Sequence, residues 1–262
     1  MTPRLRTANA IAALALAAGF AWVCHTVFFR LGQVADWDKA WAYRESLWRG
    51  WSLTLGISFA ALCGSIVFGL LFLLGQRSRL PVVRAACRGF LEFIRDTPLL
   101  VHLLFGYFVL FAPVLSRPLA DRGIEDKVVI GALLLSVFGG AYLGEILRGG
   151  VDSIPRTQWD SARAVGFTPF QVYRHVIFPQ ALRRVLPAVA GLFVSLIKDS
   201  SLLSVIGVSE YFYNTKNFIS RSYAGLEGYL PLALGYLVLT LPVAWLSHWL
   251  ERRFRDETVS PS

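Results

Sequence analysis

The chain is 262 residues long, 55% of them hydrophobic and 16% charged, with a formal net charge of +9. That apolar share, at a mean hydropathy of +0.53, excludes an ordinary soluble domain and makes a membrane protein the first expectation. The positive charge does not indicate nucleic acid, because the Lys and Arg residues sit between apolar runs and not along one face.

The first apolar run, 8–29, follows Arg4 and Arg6. It is longer than the ~7–15 apolar residues of a signal-peptide core, and Val23 stands before Cys24 where a lipoprotein site wants a small residue. An uncleaved N-terminal span is therefore expected over a cleaved signal. Residues 30–50 carry Trp37, Trp41 and Trp48, with Trp51 just beyond; an interfacial aromatic belt is the first reading and a docking surface the second. Further spans are expected at 51–75, 98–115, 128–147, 182–206 and 229–250, each near the ~20 apolar residues a bilayer requires, six in all. Segment 88–97 is expected to run helically into the third. Pro113, Pro187, Pro231 and Pro242 mark kinks, tolerated where neighbouring helices satisfy the freed carbonyls. Cys24, Cys63 and Cys87 lie in or beside apolar runs and read as small buried hydrophobes. His25, His102, His175 and His248 are scattered and outline no metal site.

Orientation follows from Lys and Arg. With the N-terminus in the cytoplasm, Arg77, Arg79, Arg84, Arg88 and Arg95 fall inside. So do the six arginines from Arg148 to Arg184 and the basic C-terminal segment. The outer loops carry fewer, so both termini and the 148–183 loop are expected in the cytoplasm.

That loop has its own punctuation. Gly149-Gly150 would end the fourth span as C-cap glycines. Thr157 suits the N-cap of a helix over 158–165, with Gly166 as its terminator. Thr168-Pro169 repeats the device for a second short helix reaching Phe178. Trp159, Ala162, Val165 and Gly166 fall on one side of the first helix. Physics leaves two readings level: a helix accepted by a groove on a soluble partner, or an interfacial helix that closes the bundle.

The residues themselves resemble the EAA loop of permease subunits in bacterial polar amino-acid ABC importers. The family pattern is Glu-Ala-Ala, three residues, Gly, nine residues, then Ile-x-Leu-Pro. Here it stands as Asp160-Ser161-Ala162, Gly166 and Val176-Ile177-Phe178-Pro179, with spacing intact and four replacements that keep size or charge. Flanking stretches are similar too: Tyr142 to Pro155, Pro179-Gln180-Ala181-Leu182-Arg183, Lys198-Asp199-Ser200-Ser201-Leu202, and Glu92 to Val101, where Asp96 stands in the family's Gly place.

The resemblance implies an all-α membrane protein with the type I ABC importer permease fold. It would be a single transmembrane domain over 1–262, with a five-helix core at 51–250, an extra N-terminal span and a cytoplasmic coupling loop at 151–180. It implies a non-catalytic subunit in the inner membrane that translocates a polar amino acid and holds no cofactor of its own. ATP would be bound by partner ATP-binding cassette subunits; no GxxxxGK[ST] stretch occurs here. The other partners implied are a periplasmic or lipid-anchored binding protein, a second permease subunit and membrane lipid. The coupling residues would be Gln158, Trp159, Asp160, Ser161, Ala162, Arg163 and Gly166.

Intramembrane charges give the remaining candidates, since such groups are costly and face a cavity or each other. Counted from Arg183 at ~1.5 Å per residue, Lys198 stands ~22 Å along its helix. Lys198, Asp199, Ser200 and Ser201, with Glu145, are candidates for the substrate pathway or gate; an interhelical ion pair is the plainer reading for the charges. Arg95 is expected to be an interfacial anchor. A secondary carrier or channel is the rival class, and an embedded enzyme lacks a catalytic constellation.

Overall fold

The computed structural model describes residues 3–26, 29 and 35–256, and every regular element among them is helical. In chain order these are α1 (Pro3–Thr26), α2 (Trp37–Ala42), α3 (Arg44–Gln76), α4 (Pro81–Asp96), α5 (Leu99–Ala120), α6 (Asp126–Asp152), α7 (Arg156–Ala164), α8 (Pro169–Ile206), α9 (Tyr211–Ser222) and α10 (Gly225–Asp256). Five of them, α3, α5, α6, α8 and α10, are long and apolar enough to cross a membrane, which is the expected five-helix core. The apolar part of α1, Ile11–Thr26, is shorter and largely exposed. Residues 27 and 28 of the expected first span lie outside the described residues.

The closest partnership in the core is α3 with α6. α3 is apolar all round, the pattern of a helix in lipid. Its contact with α6 is made of small residues: a Cβ on Gly64 would meet Ser136 Oγ at 2.3 Å, and one on Gly140 would meet Phe68 Cβ at 2.5 Å. Backbones come this near only where side chains are absent, which is how helices associate where apolar burial supplies little drive. Ser65 Oγ donates to Ala61 O at 2.7 Å and lies 3.2 Å from Ser136 O. Around this seam Ile57, Ala61, Leu103, Ile130, Leu135 and Leu196 form the central core. Phe59, Leu71, Val109 and Leu241 face outward, where lipid takes the place of water.

Several expected boundaries move, each for a local reason. Segment 88–97 does not run into the third span. Thr97 is extended (φ −112°, ψ 146°) and α5 starts after Pro98, because a residue preceding proline is kept out of the helical region. The freed α4 is amphipathic; its Leu91 and Ile94 pack with Ala141 of α6. Gly149-Gly150 does not cap α6, which continues to Asp152. Gly150 instead makes room for α8, since a Cβ there would stand 2.2 Å from Val185 Cγ2. The second short helix is not separate. Residues 169–171 lead through π-helical turns at Val172–Ile177 into the membrane length of α8. Pro179 therefore falls in the first turn after the wider winding, where its missing N–H does least harm.

Candidate functional site

The polar loop between α6 and α8 is built by its capping residues. Pro155 turns the chain (ψ 141°) and α7 begins at Arg156, so Thr157 lies inside the helix and is not its N-cap. Gly166, at φ +86°, ends it. Gly166 N–H donates to Arg163 O at 2.9 Å and Phe167 N–H to Ala162 O at 3.2 Å, the paired bonds of a Schellman cap, which needs a left-handed residue at this point. Thr168 then caps α8: its N–H donates to Gln171 Oε1 at 2.9 Å and its Oγ1 accepts from Gln171 N–H at 3.4 Å, a capping box.

A small core of its own braces α7. Ala162 is buried with Ile154, Val172, Ile177 and Ala181, and Trp159 stands edge-on to Tyr173 with centroids 5.0 Å apart. Trp159 and Ala162 thus point inward. Val165, placed on their side by helical spacing, is instead 71% exposed, because the helix ends there. Gln158, Asp160, Ser161, Arg163 and Gly166 are all exposed. Phe167 and Phe170 are exposed beside them.

From this loop a chain of polar contacts crosses the bundle. Arg77 of α3 donates to Tyr173 Oη at 3.2 Å and pairs with Asp152 at 2.7 Å. Arg148 pairs with Asp152 at 3.2 Å and with Glu145 at 2.8 Å. Arg95 of α4 reaches Glu145 at 3.5 Å and lies 5.8 Å from the centroid of the Tyr142 ring. Arg95 is therefore a cross-helix partner and not the free interfacial anchor its sequence position suggested. Two cavities flank the ladder. One of ≈ 820 Å³ is lined by Arg77, Arg148, Asp152, Trp159 and Arg163, among others. The other, of ≈ 320 Å³, includes Arg88, Glu92, Arg95 and Glu145. Gln76 borders both.

Lys198 and Asp199 end the α-helical part of α8, and Ser200–Ile206 tightens into a 3₁₀ helix. Neither charge has an ion-pair partner among the described residues of this chain. Lys198 is exposed. Ser200 is fully buried and donates to Ile197 O at 2.8 Å. The structure does not bring Glu145 together with Lys198–Ser201; they sit at opposite ends of the bundle, Glu145 in the ladder beside the loop and Lys198 near the far end of α8.

Beyond this end lies a group the sequence reading passed over. Glu210, fully buried, caps α9 by accepting from Phe212 N–H at 2.8 Å and Tyr213 N–H at 2.7 Å. Its carboxylate also accepts from Thr54 Oγ of α3 at 3.3 Å and Tyr236 Oη of α10 at 3.1 Å. Burial pushes the carboxyl up to about 7 against the pull of those four donors. The available signal was a lone acidic residue ahead of the aromatic run Tyr211-Phe212-Tyr213, a good N-cap position. Among the described residues no cluster of His, Cys, Asp and Glu could hold a metal ion.

The pattern of known proteins matched by this chain agrees with this architecture. Residues 65–256 match the family described as binding-protein-dependent transport system inner membrane component. The chain belongs to that family. It is therefore a permease component of a binding-protein-dependent transport system, and the rival carrier or channel reading falls away. The chain is 33% identical over 217 residues to the probable amino-acid permease protein YxeN of Bacillus subtilis, covering 83% of this chain and 95% of that protein. It is also 33% identical over 221 residues to the glutamine transport system permease protein GlnP of Escherichia coli, covering 84% and 98%. Among solved structures, the crystal structure of an amino acid ABC transporter with histidines superposes with a TM-score of 0.72 at 30% identity, covering 83% of this chain and 98% of that one. The MetNI methionine ABC transporter shares the fold at a TM-score of 0.62 and 18% identity. In this permease the loop between α6 and α8 combines an exposed polar surface with a small core of its own.

Proposed function

We propose that this permease carries a polar amino acid across the cytoplasmic membrane, driven by ATP hydrolysed in partner subunits that grip α7. The observation that carries the reading is the build of α7: it is exposed along Gln158, Asp160, Ser161 and Arg163 yet braced from beneath by Ala162 and Trp159. A surface helix that can be gripped and is packed onto a span transmits force, whereas a passive interfacial helix needs no such bracing. The substrate class rests on the relatives, which are named for glutamine and for amino acids.

The chain itself is non-catalytic and binds no cofactor in this reading. ATP belongs to the cassette subunits, the amino acid is delivered by a periplasmic or lipid-anchored binding protein, and a second permease subunit completes the pathway. The Lys and Arg bias supports a cytoplasmic position for both termini and α7. The cavity at Arg88, Glu92, Arg95 and Glu145 presents both charge signs, which suits the carboxylate and ammonium of a zwitterion on its way out of the pathway. Lys198–Ser201 belongs to the outer gate.

The test is co-purification with the cassette subunits, then vesicle uptake of a panel of amino acids. Asp160→Lys and Gly166→Leu should leave the protein in the membrane but abolish substrate-stimulated ATPase and uptake. Full activity in both variants refutes the role of α7, and uptake that follows an ion gradient without ATP refutes the class.

A further inference from the structure

A cleft between the early membrane turns of α8 and the last turns of α10 plays no part in the coupling described above. It encloses ≈ 800 Å³, within the ~300–1,000 Å³ of small-molecule sites. Arg183 and Arg184 line it from α8, and His248, Glu251 and Arg252 from α10. Arg184 and Arg252 thus bring guanidinium groups to a lining whose one carboxylate, among the described residues, is that of Glu251. Arg184 is held in place, donating to Ser153 O at 2.6 Å and to Ser153 Oγ at 2.9 Å. Arg252 has no ion-pair partner among the described residues. The remaining lining, Pro187, Ala188 and Phe254, is apolar.

The position of the cleft is as telling as its lining. Trp245 and Trp249 project from this end of α10, and Arg253 lies 5.8 Å from the centroid of the Trp249 ring. Tryptophans with a basic cluster just beyond them mark the level of lipid headgroups. Ser247 Oγ donates to Pro187 O at 2.9 Å and joins the two helices beside the cleft.

We propose that this cleft binds the phosphate of an acidic membrane phospholipid. Guanidinium groups match phosphate oxygens with paired hydrogen bonds, and basic pockets between membrane helices at this depth take such headgroups. The apolar lining accepts the glycerol end of the acyl chains. The positive charge of Arg184 and Arg252 selects against headgroups that carry a cation, with Glu251 as the one described lining residue that could welcome one. The inference rests on the membrane placement of α8 and α10 and is independent of the transported solute and of α7.

Native mass spectrometry of the full-length permease, alone and with its cassette subunits, tests it by titration with phosphatidylglycerol and with phosphatidylethanolamine. Phosphatidylglycerol should bind several-fold more tightly. Arg252→Gln should weaken it about fivefold, while Glu251→Gln should strengthen it. The thermal midpoint in lipid-free detergent serves as the check that Arg252→Gln folds normally. Equal affinity for the two lipids, or an unchanged affinity in Arg252→Gln, overturns the proposal. Displacement of the lipid by inorganic phosphate alone reassigns the cleft to free phosphate. Cross-linking of Arg252→Cys to a cassette subunit in a lipid-free complex reassigns it to protein. Loss of uptake with lipid binding intact would count against the transport reading and leave this one standing.

Discussion

Gly150 of α6 lies against Val185 of α8, so close that a Cβ on the glycine would stand 2.2 Å from Val185 Cγ2. The two spans that enclose the loop are thereby pinned at its base. Gly150→Leu should force them apart at a cost of about 1–3 kcal/mol, lowering the thermal midpoint of the purified permease. It should also weaken coupling, because Ile154 and Ala181 of the small core under α7 flank the contact. A partial rescue by Val185→Ala would tie both effects to this contact.

Glu210 gives a prediction in pH. Its folded carboxyl titrates at about 7, above the 4.5 of an ordinary glutamate. Between those values the unfolded chain has lost the proton while the folded chain keeps it, so the unfolded state binds fewer protons and stability falls as pH rises. The loss sets in above about pH 4.5, is complete above about pH 7, and amounts to about 3 kcal/mol. Thermal midpoints of the permease measured across this range should decline. Glu210→Gln should flatten that dependence and lower the midpoint throughout, since its amide NH₂ would face the donors of Phe212 and Tyr213.

The ladder from Arg77 to Arg95 separates two roles for Glu145. If it positions α4 against α6, Glu145→Gln should slow uptake and the swap Arg95→Glu with Glu145→Arg should restore part of it. The side chains are partly exposed, so the stability change should be below about 1 kcal/mol. A substrate-contacting Glu145 would lose apparent affinity in both variants, without rescue. Lys198→Met, read in the same uptake assay at matched expression, tests the outer site.

The exposed apolar residues at the junction of α7 and α8 should dominate the grip of the cassette subunit. Val165→Asp and Phe170→Ala are expected to reduce co-purification by at least tenfold, an effect of ~1.4 kcal/mol or more. Ser161→Ala, on the same surface but small and polar, should change it little.

The sequence made much of this legible. Long apolar runs name the five core spans because a continuous apolar stretch can satisfy its backbone in lipid only as a helix, and Gly166 and Thr168 announce their caps because few residues can fill those roles. Boundaries were harder. Gly150 looks the same in a cap as in a helix contact, and only the presence of Val185 across the gap tells them apart. Thr157 has N-cap chemistry, yet Pro155 starts the helix earlier. The Arg95–Glu145 and Glu210–Tyr236 contacts join residues far apart in the chain, and no local pattern encodes such pairs.

The π-helical winding at Val172–Ile177 has a consequence for how α8 moves. A π turn holds one residue more than an α turn. Converting one to the other would swivel everything beyond it by ~100° and shift it by ~1.5 Å along the axis. That winding lies between the floor of α7 and the membrane length of α8, a helix of 38 residues in all. Such a conversion would turn Lys198 and Asp199 about the helix axis and carry them ~1.5 Å along it, so a local change of winding beside the loop reaches the far end of α8 as torsion.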